Sequence, residues 1–586
     1  MNKVRVAIID SGISKKSECI ENVSESYMLN KSDEIYSIIK CEPIDYIGHG
    51  TAVAHIIYKT NINVELVCIR ICDYTMEVDE EGLIFVLEYI YKNVDIDIIN
   101  ISAGITYLSN YKGMNKVCNN LYKKGVVIVS AFDNDGAISY PAALNAVIGV
   151  DTKDEYGDRK DIYYVENSII DILVPNKFYR TIWNDRKTIL KGSSFATACI
   201  TGMLSQIIKN FMLPYKKNDL LKAISNTQIN VKQSSDVESP SFQIKKAILF
   251  PLNKESQVLL RFKKMLKFEI AGVYDEKTSG NVGRTLFGEY IESFDSINWS
   301  DDFDTIILSC TSELSTITKR NYSEEILNMA EKQKKNIYTF EKIISDYKEI
   351  FYPSITSNIV PYGNYFKLHK ATIPIVGVFG TSSKQGKFTL QLNIIRRLSE
   401  LGYSVGHIST EPSGYLFDAD YVFHFGYRAN LKIQPWECIS ILNKMVWNTQ
   451  LKEKDILITG CQSGTLHYNN SEINNFTIYQ YAFTLGVMPD FCILCINPHD
   501  DIEYISRTIS FINSIDEGKV RAIAIFPIQA IETVTGIKYK TRELFGENLQ
   551  VFKEKIYESF KIPVYSVFDD LDLDNLCDLI ISYFGE

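Results

Sequence analysis

Three residues in the N-terminal part of the chain can form a nucleophile, its base and an orienting carboxylate: Ser194, His49 and Asp10. Acyl transfer through a hydroxyl needs a base to take its proton and a carboxylate to stabilise that base as it charges. The chain order Asp, His, Ser is one in which this constellation occurs. Asp10 ends the apolar run VRVAIID, and open α/β sheets place functional groups at such strand ends. His49 lies in GHGTAVAHII, where glycines precede a helical stretch. Ser194 lies in KGSSFATACITG, a Gly-Ser-Ser turn running into an apolar helix whose N-terminus favours developing negative charge. A tetrahedral oxyanion also needs donors. The Ser194 N–H is one, and the Asn134 side-chain amide, just past the strand in VVIVSAFDNDGAISYPA, is the second. The stretch INISAG ends another strand in small residues, so Ser102, Ala103 and Gly104 can pair with an extended peptide.

A second chemical signal follows the strand IPIVGVF. The Gly-rich turn GTSSKQGK opens an amphipathic helix, so backbone N–H groups and Lys387 can cradle phosphate oxygens. Gly380 and Gly386 stand one residue further apart than the standard phosphate-loop spacing, Phe388 replaces the usual Mg²⁺-binding hydroxyl, and Thr389 comes next. The expected nucleotide contacts are Gly380, Thr381, Ser382, Gly386, Lys387 and Thr389. Thr389 and Glu411 are the expected metal ligands, with Asp418 and Asp420 as alternatives. DILITGCQSG offers Asp455 before its strand and Gln462 after it, with no carboxylate at the strand end. Of the dispersed His407, His424, His467 and His499, His424 and His467 are expected to flank the cleft.

Strands and helices alternate along the whole chain, which predicts an α/β protein with parallel sheets and covering helices. Residues 1–230 form a first three-layer unit, and the polar, turn-rich stretch 231–243 reads as a linker. A small Rossmann-like domain is expected over 244–366 and a phosphate-loop domain over 367–586. The cysteine pairs in CIRIC and FCILCI lie in expected buried strands and read as core residues, because no second pair completes a zinc site.

DSGI, HGTAVA, INISAG, DNDG followed by YPA, and GSSFATA resemble the signature blocks of the subtilisin family, in order and spacing, over about the first 230 residues. The resemblance implies Asp10, His49 and Ser194 as the triad, Asn134 as oxyanion donor, and Ser102 to Gly104 as a substrate wall. No cofactor is required for that proteolysis. Asp133 stands where the family has glycine, and Phe195 where it has Met. Asp133 and Asp135 point to basic substrate side chains. The loop after IPIVGVF resembles that of dethiobiotin synthetase and its phosphate-loop relatives. The half from Ile244 on resembles a phosphate-loop family associated with peptide natural-product maturation, which implies ATP or another nucleotide with Mg.

With 586 residues, 46% hydrophobic and a net charge of -10, the chain has ample material for several cores and is not a general nucleic-acid or anionic-membrane binder. No apolar stretch is long enough to span a bilayer, and the start MNKVRVAIIDSG lacks a secretory pattern and leaves no room for a prosegment. Twelve scattered cysteines fit a reducing cytoplasm. The expected function is an intracellular serine endopeptidase that cuts a restricted peptide, such as a natural-product precursor leader, joined to a nucleotide-binding module. The rival readings are an ATP-dependent amide-forming or phosphorylating enzyme whose protease domain recognises substrate, and a scaffold without turnover.

Overall fold

The computed structural model describes residues 3–585 apart from 34, 154–160, 214, 426–428, 430, 469–477, 499, 516–517, 528–529, 534–535 and 540–545. Two units form, one of Met1–Ser234 with Pro361–Thr372, the other of Ser235–Val360 with Ile373–Glu586.

In the first unit a ten-stranded sheet is built around the strands Val147–Lys153, Val127–Ala131, Ile98–Ile101, Arg5–Asp10 and Glu65–Arg70, in that spatial order. Each neighbouring pair among them is parallel. They are covered on both faces, which is why their sequences run apolar without alternation. Helices His49–Thr60 and Ser193–Ile207 share one core with this sheet, through Ala52, Val53, Ile57, Ala196, Ala198 and Leu204 against Val6, Ile8 and Val129. Small residues on Ser193–Ile207 let it approach closely. Thr201 donates to Asn100 Oδ1 at 2.8 Å, and Asn100 Nδ2 donates to Ser102 Oγ at 2.9 Å, which ties the nucleophile's helix to the strand end carrying the substrate wall.

Two hairpins, besides the antiparallel pair of Tyr163–Glu166 with Ile172–Pro175, depart from the parallel pattern. Val23–Ser32 pairs with Ile35–Lys40 antiparallel and with Glu65–Arg70 in parallel, and Tyr179–Trp183 pairs antiparallel with Arg186–Leu190. The second hairpin is anchored on the His49 helix, where Thr181 donates to the Ala52 carbonyl at 2.9 Å.

The second unit holds two seven-stranded sheets. One centres on Lys246–Phe250, between Glu269–Asp275 and Thr305–Leu308. The other centres on Ile375–Gly380, between Ile456–Gly460 and Phe491–Ile496. The stretches 244–366 and 367–586 each hold one of these sheets. A single hydrophobic cluster joins Leu249, Leu259 and Leu260 of the first sheet's layer to Phe388, Leu392, Leu416 and Phe417 of the second, so the two sheets belong to one unit. The boundary at 366 also cuts through Pro361–Thr372, which packs on the first unit. Cys492 and Cys495 are buried strand residues as expected, whereas Cys72 lies beyond the end of its strand, and the cysteines form no disulfide. Among the described residues no helix is long and apolar enough to cross a membrane.

Helix Lys254–Arg261 starts on a capping box. Asn253 Oδ1 accepts from the Glu255 and Ser256 amides at 3.1 and 3.2 Å, and Ser256 Oγ accepts from the Asn253 amide at 2.8 Å. Asn253→Ala is expected to cost about 1 kcal/mol in denaturant unfolding of the second unit.

Candidate active site

Asp10 and His49 come together through the strand end and the turn that follows it. His49 Nδ1 lies 2.8 Å from Asp10 Oδ1, and both side chains are buried. The same carboxylate oxygen accepts the Ser11 amide at 2.7 Å, while its partner oxygen has no hydrogen bond among the described residues. Burial alone would depress the imidazole. The Asp10 charge and hydrogen bond outweigh that, with Asp45 adding, and hold His49 above its ordinary 6.5.

Asp45 was not legible as a site residue. Its carboxylate accepts from Ser11 Oγ, the Ile47, Gly48 and Thr51 amides and the Thr51 hydroxyl, at 2.6 to 3.0 Å. These bonds fold the turn into helix His49–Thr60, with Gly48 at φ 96 supplying a left-handed step that a side chain would strain. His49 therefore occupies the first helical position. Trp183, edge-on at 5.8 Å, and Phe195 at 5.5 Å wall its ring.

Ser194 is the second residue of helix Ser193–Ile207, and its hydroxyl donates to the Ser102 carbonyl at 3.0 Å. Across from it, the Ser193 amide donates to Asn134 Oδ1 at 3.1 Å, and the Ser193 hydroxyl lies 2.6 Å from the Phe132 carbonyl. With Oδ1 engaged, the Asn134 Nδ2 is left to serve an oxyanion, the role expected of it. Ser193 thus orients the Asn134 side-chain amide. Asp133 does not crowd the site: its carboxylate accepts the Asp135 amide at 2.8 Å inside the turn, and its own amide donates to Ser139 Oγ at 2.9 Å. Asp135 stands exposed on the loop tip. Ser102 and Ala103 are buried and Gly104 is exposed, with Ile105 forming an isolated antiparallel bridge to Tyr140.

In the second unit a cleft forms over the phosphate loop. Gly386, Lys387, Thr389, Glu411 and Gln462 line it, together with Lys254, Glu255 and Arg261 from the other sheet's layer, which the sequence did not single out. Gly386 adopts φ 69, and a Cβ there would meet Phe526. Lys387 is buried, which pushes its ammonium down, and it donates to the Ser382 carbonyl at 2.7 Å. Arg261 donates to the Thr389 hydroxyl at 3.3 Å. Burial pushes Glu411 up to about 7.

Other expected residues fall elsewhere. Gly380, Thr381 and Ser382 support the loop instead of lining the cleft: Thr381 Oγ1 bonds to Asp500, and Gln385 Oε1 takes the Ser382 amide at 2.9 Å. The alternative ligands are engaged outside the cleft, Asp418 with Lys267 at 2.7 Å and Asp420 with Lys452 at 2.9 Å, while Asp455 accepts the Ser404 amide at 2.6 Å. Among the described residues no group of three His, Cys, Asp or Glu is placed to hold a metal. His424 is buried against Tyr352, with Nδ1 3.2 Å from its hydroxyl, and His407 is buried against Phe388. Neither these two nor His467 lines the cleft, and His499 lies outside the described residues.

The subtilase family matches residues 1–244, and a P-loop domain described as DUF1611, a domain of unknown function, matches residues 365–577. Subtilisin DY of Bacillus licheniformis is 25% identical over 247 residues, 39% of this chain and 85% of its own length. Among solved structures, the prenylagaramide maturation protease PagA overlays 36% of this chain and 78% of its own at 23% identity, with a TM-score of 0.28. A DUF1611 family protein from Anabaena variabilis overlays 58% of this chain and 100% of its own at 13% identity, with a TM-score of 0.43. The chain therefore carries a subtilase serine endopeptidase domain followed by a DUF1611 P-loop domain.

Asn134→Ala is expected to lower kcat by about 10² to 10³ with circular dichroism unchanged, a magnitude taken from subtilisin itself and not obtained from this structure. Because His49 works as a base only when neutral and is held above 6.5, kcat/KM should fall as pH drops through a value above 6.5. An acid limb centred below that value would contradict the Asp10–His49 coupling.

Proposed function

We propose that the first unit cleaves a restricted peptide in extended conformation, with Asp10, His49 and Ser194 as the triad and Asn134 as oxyanion donor. The buried 2.8 Å contact between His49 and Asp10 carries this reading, because a carboxylate so placed holds the imidazole in the tautomer a base requires. The Ser194 hydroxyl turns from the Ser102 carbonyl to the imidazole and attacks the scissile carbonyl. The peptide runs along Ser102, Ala103 and Gly104. Asp135 at the loop tip supports a preference for basic side chains, since the Asp133 carboxylate is engaged within the turn. A natural-product precursor is the substrate class that the resemblance of the second half supports. A cytoplasmic site of action fits cysteines that form no disulfide.

The second unit is proposed to bind a nucleotide, ATP or a relative, in the cleft over Lys387. Lys387 fits a phosphate group: it is buried, it donates to a loop carbonyl, and Lys254 and Arg261 line the same space. Mg would rest on Thr389 and Glu411, a sparse set, since Arg261 already engages the Thr389 hydroxyl. When bound, a nucleoside triphosphate supplies an activated phosphoryl group. Lys387 and Arg261 would hold it. This arrangement keeps open a peptide-modifying reaction in the second unit.

Mass spectrometry of precursor peptides incubated with wild-type and Ser194→Ala protein, with and without ATP and Mg²⁺, tests both halves. Cleavage by wild type alone is expected, and cleavage by Ser194→Ala overturns the triad. Titration with a fluorescent ATP analogue is expected to show binding that Lys387→Ala weakens by at least about tenfold. Equal affinity in both proteins, or none in either, defeats the nucleotide reading.

A further inference from the structure

The first unit is completed by a segment from far along the chain. Pro361–Thr372 lies outside the subtilase match at residues 1–244, yet it packs as part of that unit. Several of its contacts fall on the loop from Phe132 to Tyr140 that carries Asn134, and the others fall on Asp151, Ser168 to Ile170 and Tyr107. The Gly363 carbonyl first accepts from Ser168 Oγ at 2.7 Å and from the Ile169 amide at 3.1 Å, which docks the start of the segment. Tyr365 then packs on Phe132, Ala142 and Ile170. Lys367 Nζ lies 3.0 Å from Asp151 Oδ2, both side chains only about a tenth exposed, and stands 5.6 Å over the Phe132 ring. The Leu368 carbonyl accepts the Ile138 amide at 3.0 Å, and His369 Nδ1 lies 3.2 Å from the Tyr140 hydroxyl. Lys370 finally forms a parallel bridge with Tyr107, just past the substrate wall.

The segment thus touches both limbs of the oxyanion loop, Phe132 on one side and Ile138 and Tyr140 on the other. Between the limbs the loop tip is exposed from Asn134 to Gly136. Two bonds within the loop transmit the limbs' positions inward: Asp133 N–H to Ser139 Oγ at 2.9 Å, and Asp135 N–H to the Asp133 carboxylate at 2.8 Å. The Ser193 hydroxyl adds a third fixed point at the Phe132 carbonyl. An oxyanion donor acts only when held where charge develops, so the elements behind such a loop bear directly on the rate.

We propose that Pro361–Thr372 is a positioning strap for the oxyanion loop, with Lys367 and Tyr365 as the residues that set Asn134 in place from behind. The strap touches no substrate and takes no part in bond making. It makes the protease domain depend on sequence that follows the Rossmann-like sheet and precedes the phosphate-loop strand Ile375–Gly380. A chain cut after residue 244 would lack it.

The test is a mutant cycle in the full-length protein, read on a short chromogenic peptide. Lys367→Met is expected to lower kcat about tenfold while KM changes less than about twofold, and Lys367→Arg is expected to restore most of the loss. In an Asn134→Ala background the same Lys367→Met change is expected to cost less than about twofold, because the group it positions is gone. A structural role alone would lower thermal stability and leave the loss in kcat equal in both backgrounds, and that result overturns the proposal. An effect confined to KM overturns it as well. Should Lys367→Met not fold, because Asp151 is left buried without its partner, Tyr365→Ala carries the same cycle with the same expected and opposing outcomes.

Discussion

The buried contact between Asp10 and His49 sets the terms for the rest of the first unit. A carboxylate withdrawn from water is costly unless it is hydrogen-bonded, and here the Ser11 amide and the imidazole share one oxygen. Holding those two groups in register requires the strand Arg5–Asp10 to end where the turn to helix His49–Thr60 begins. Asp45 enforces that junction with five bonds to the turn and to Ser11, and Gly48 provides its one left-handed residue. The parallel sheet then carries the remaining parts, since Ser102 follows the end of the adjacent strand Ile98–Ile101 and Asn134 that of the strand beyond it, Val127–Ala131.

Two kinds of support meet at the nucleophile. Within the helix Ser193–Ile207, the Ser193 amide holds Asn134 while the Ser194 hydroxyl donates to the Ser102 carbonyl, so adjacent residues tie two strand ends to one helix start. From behind, Pro361–Thr372 grips the limbs of the oxyanion loop. The first kind is local and belongs to the family blocks. The second links residues 229 positions apart in sequence.

The second unit follows a related logic with different chemistry. Its phosphate-loop strand sits at the centre of a parallel sheet, so the loop emerges at the strands' C-terminal end. Phe388, in the place of a metal-binding hydroxyl, is spent on the shared core with Leu259 and Leu260. That packing brings helix Lys254–Arg261 over the cleft and adds two cations to the phosphate loop's own lysine. The loop's first residues are held from behind by Asp500 and Gln385, which keeps the turn closed around Lys387.

Local signals determined a good deal by themselves. Strand ends, helix starts and small-residue turns are written in contiguous residues, so the placement of Asp10 at a strand end, of His49, Ser194 and Lys387 at helix starts and of Asn134 in a turn was legible, as was the α/β class. Asp45, Ser193 and Trp183 were not legible, because an acid in a loop, a serine beside a serine and an aromatic in a hairpin carry no signal until the chain closes on them. The same holds for Lys254 and Arg261, which read as ordinary helix-surface cations. Asp418 and Asp420 show the reverse: carboxylates near the phosphate loop in sequence that pair with lysines away from its cleft. Only tertiary structure decided that Pro361–Thr372 leaves its sequence neighbours to complete the first unit. The contacts that place it are long-range backbone bonds and one buried ion pair, and no local pattern of residues encodes a partner more than two hundred positions away.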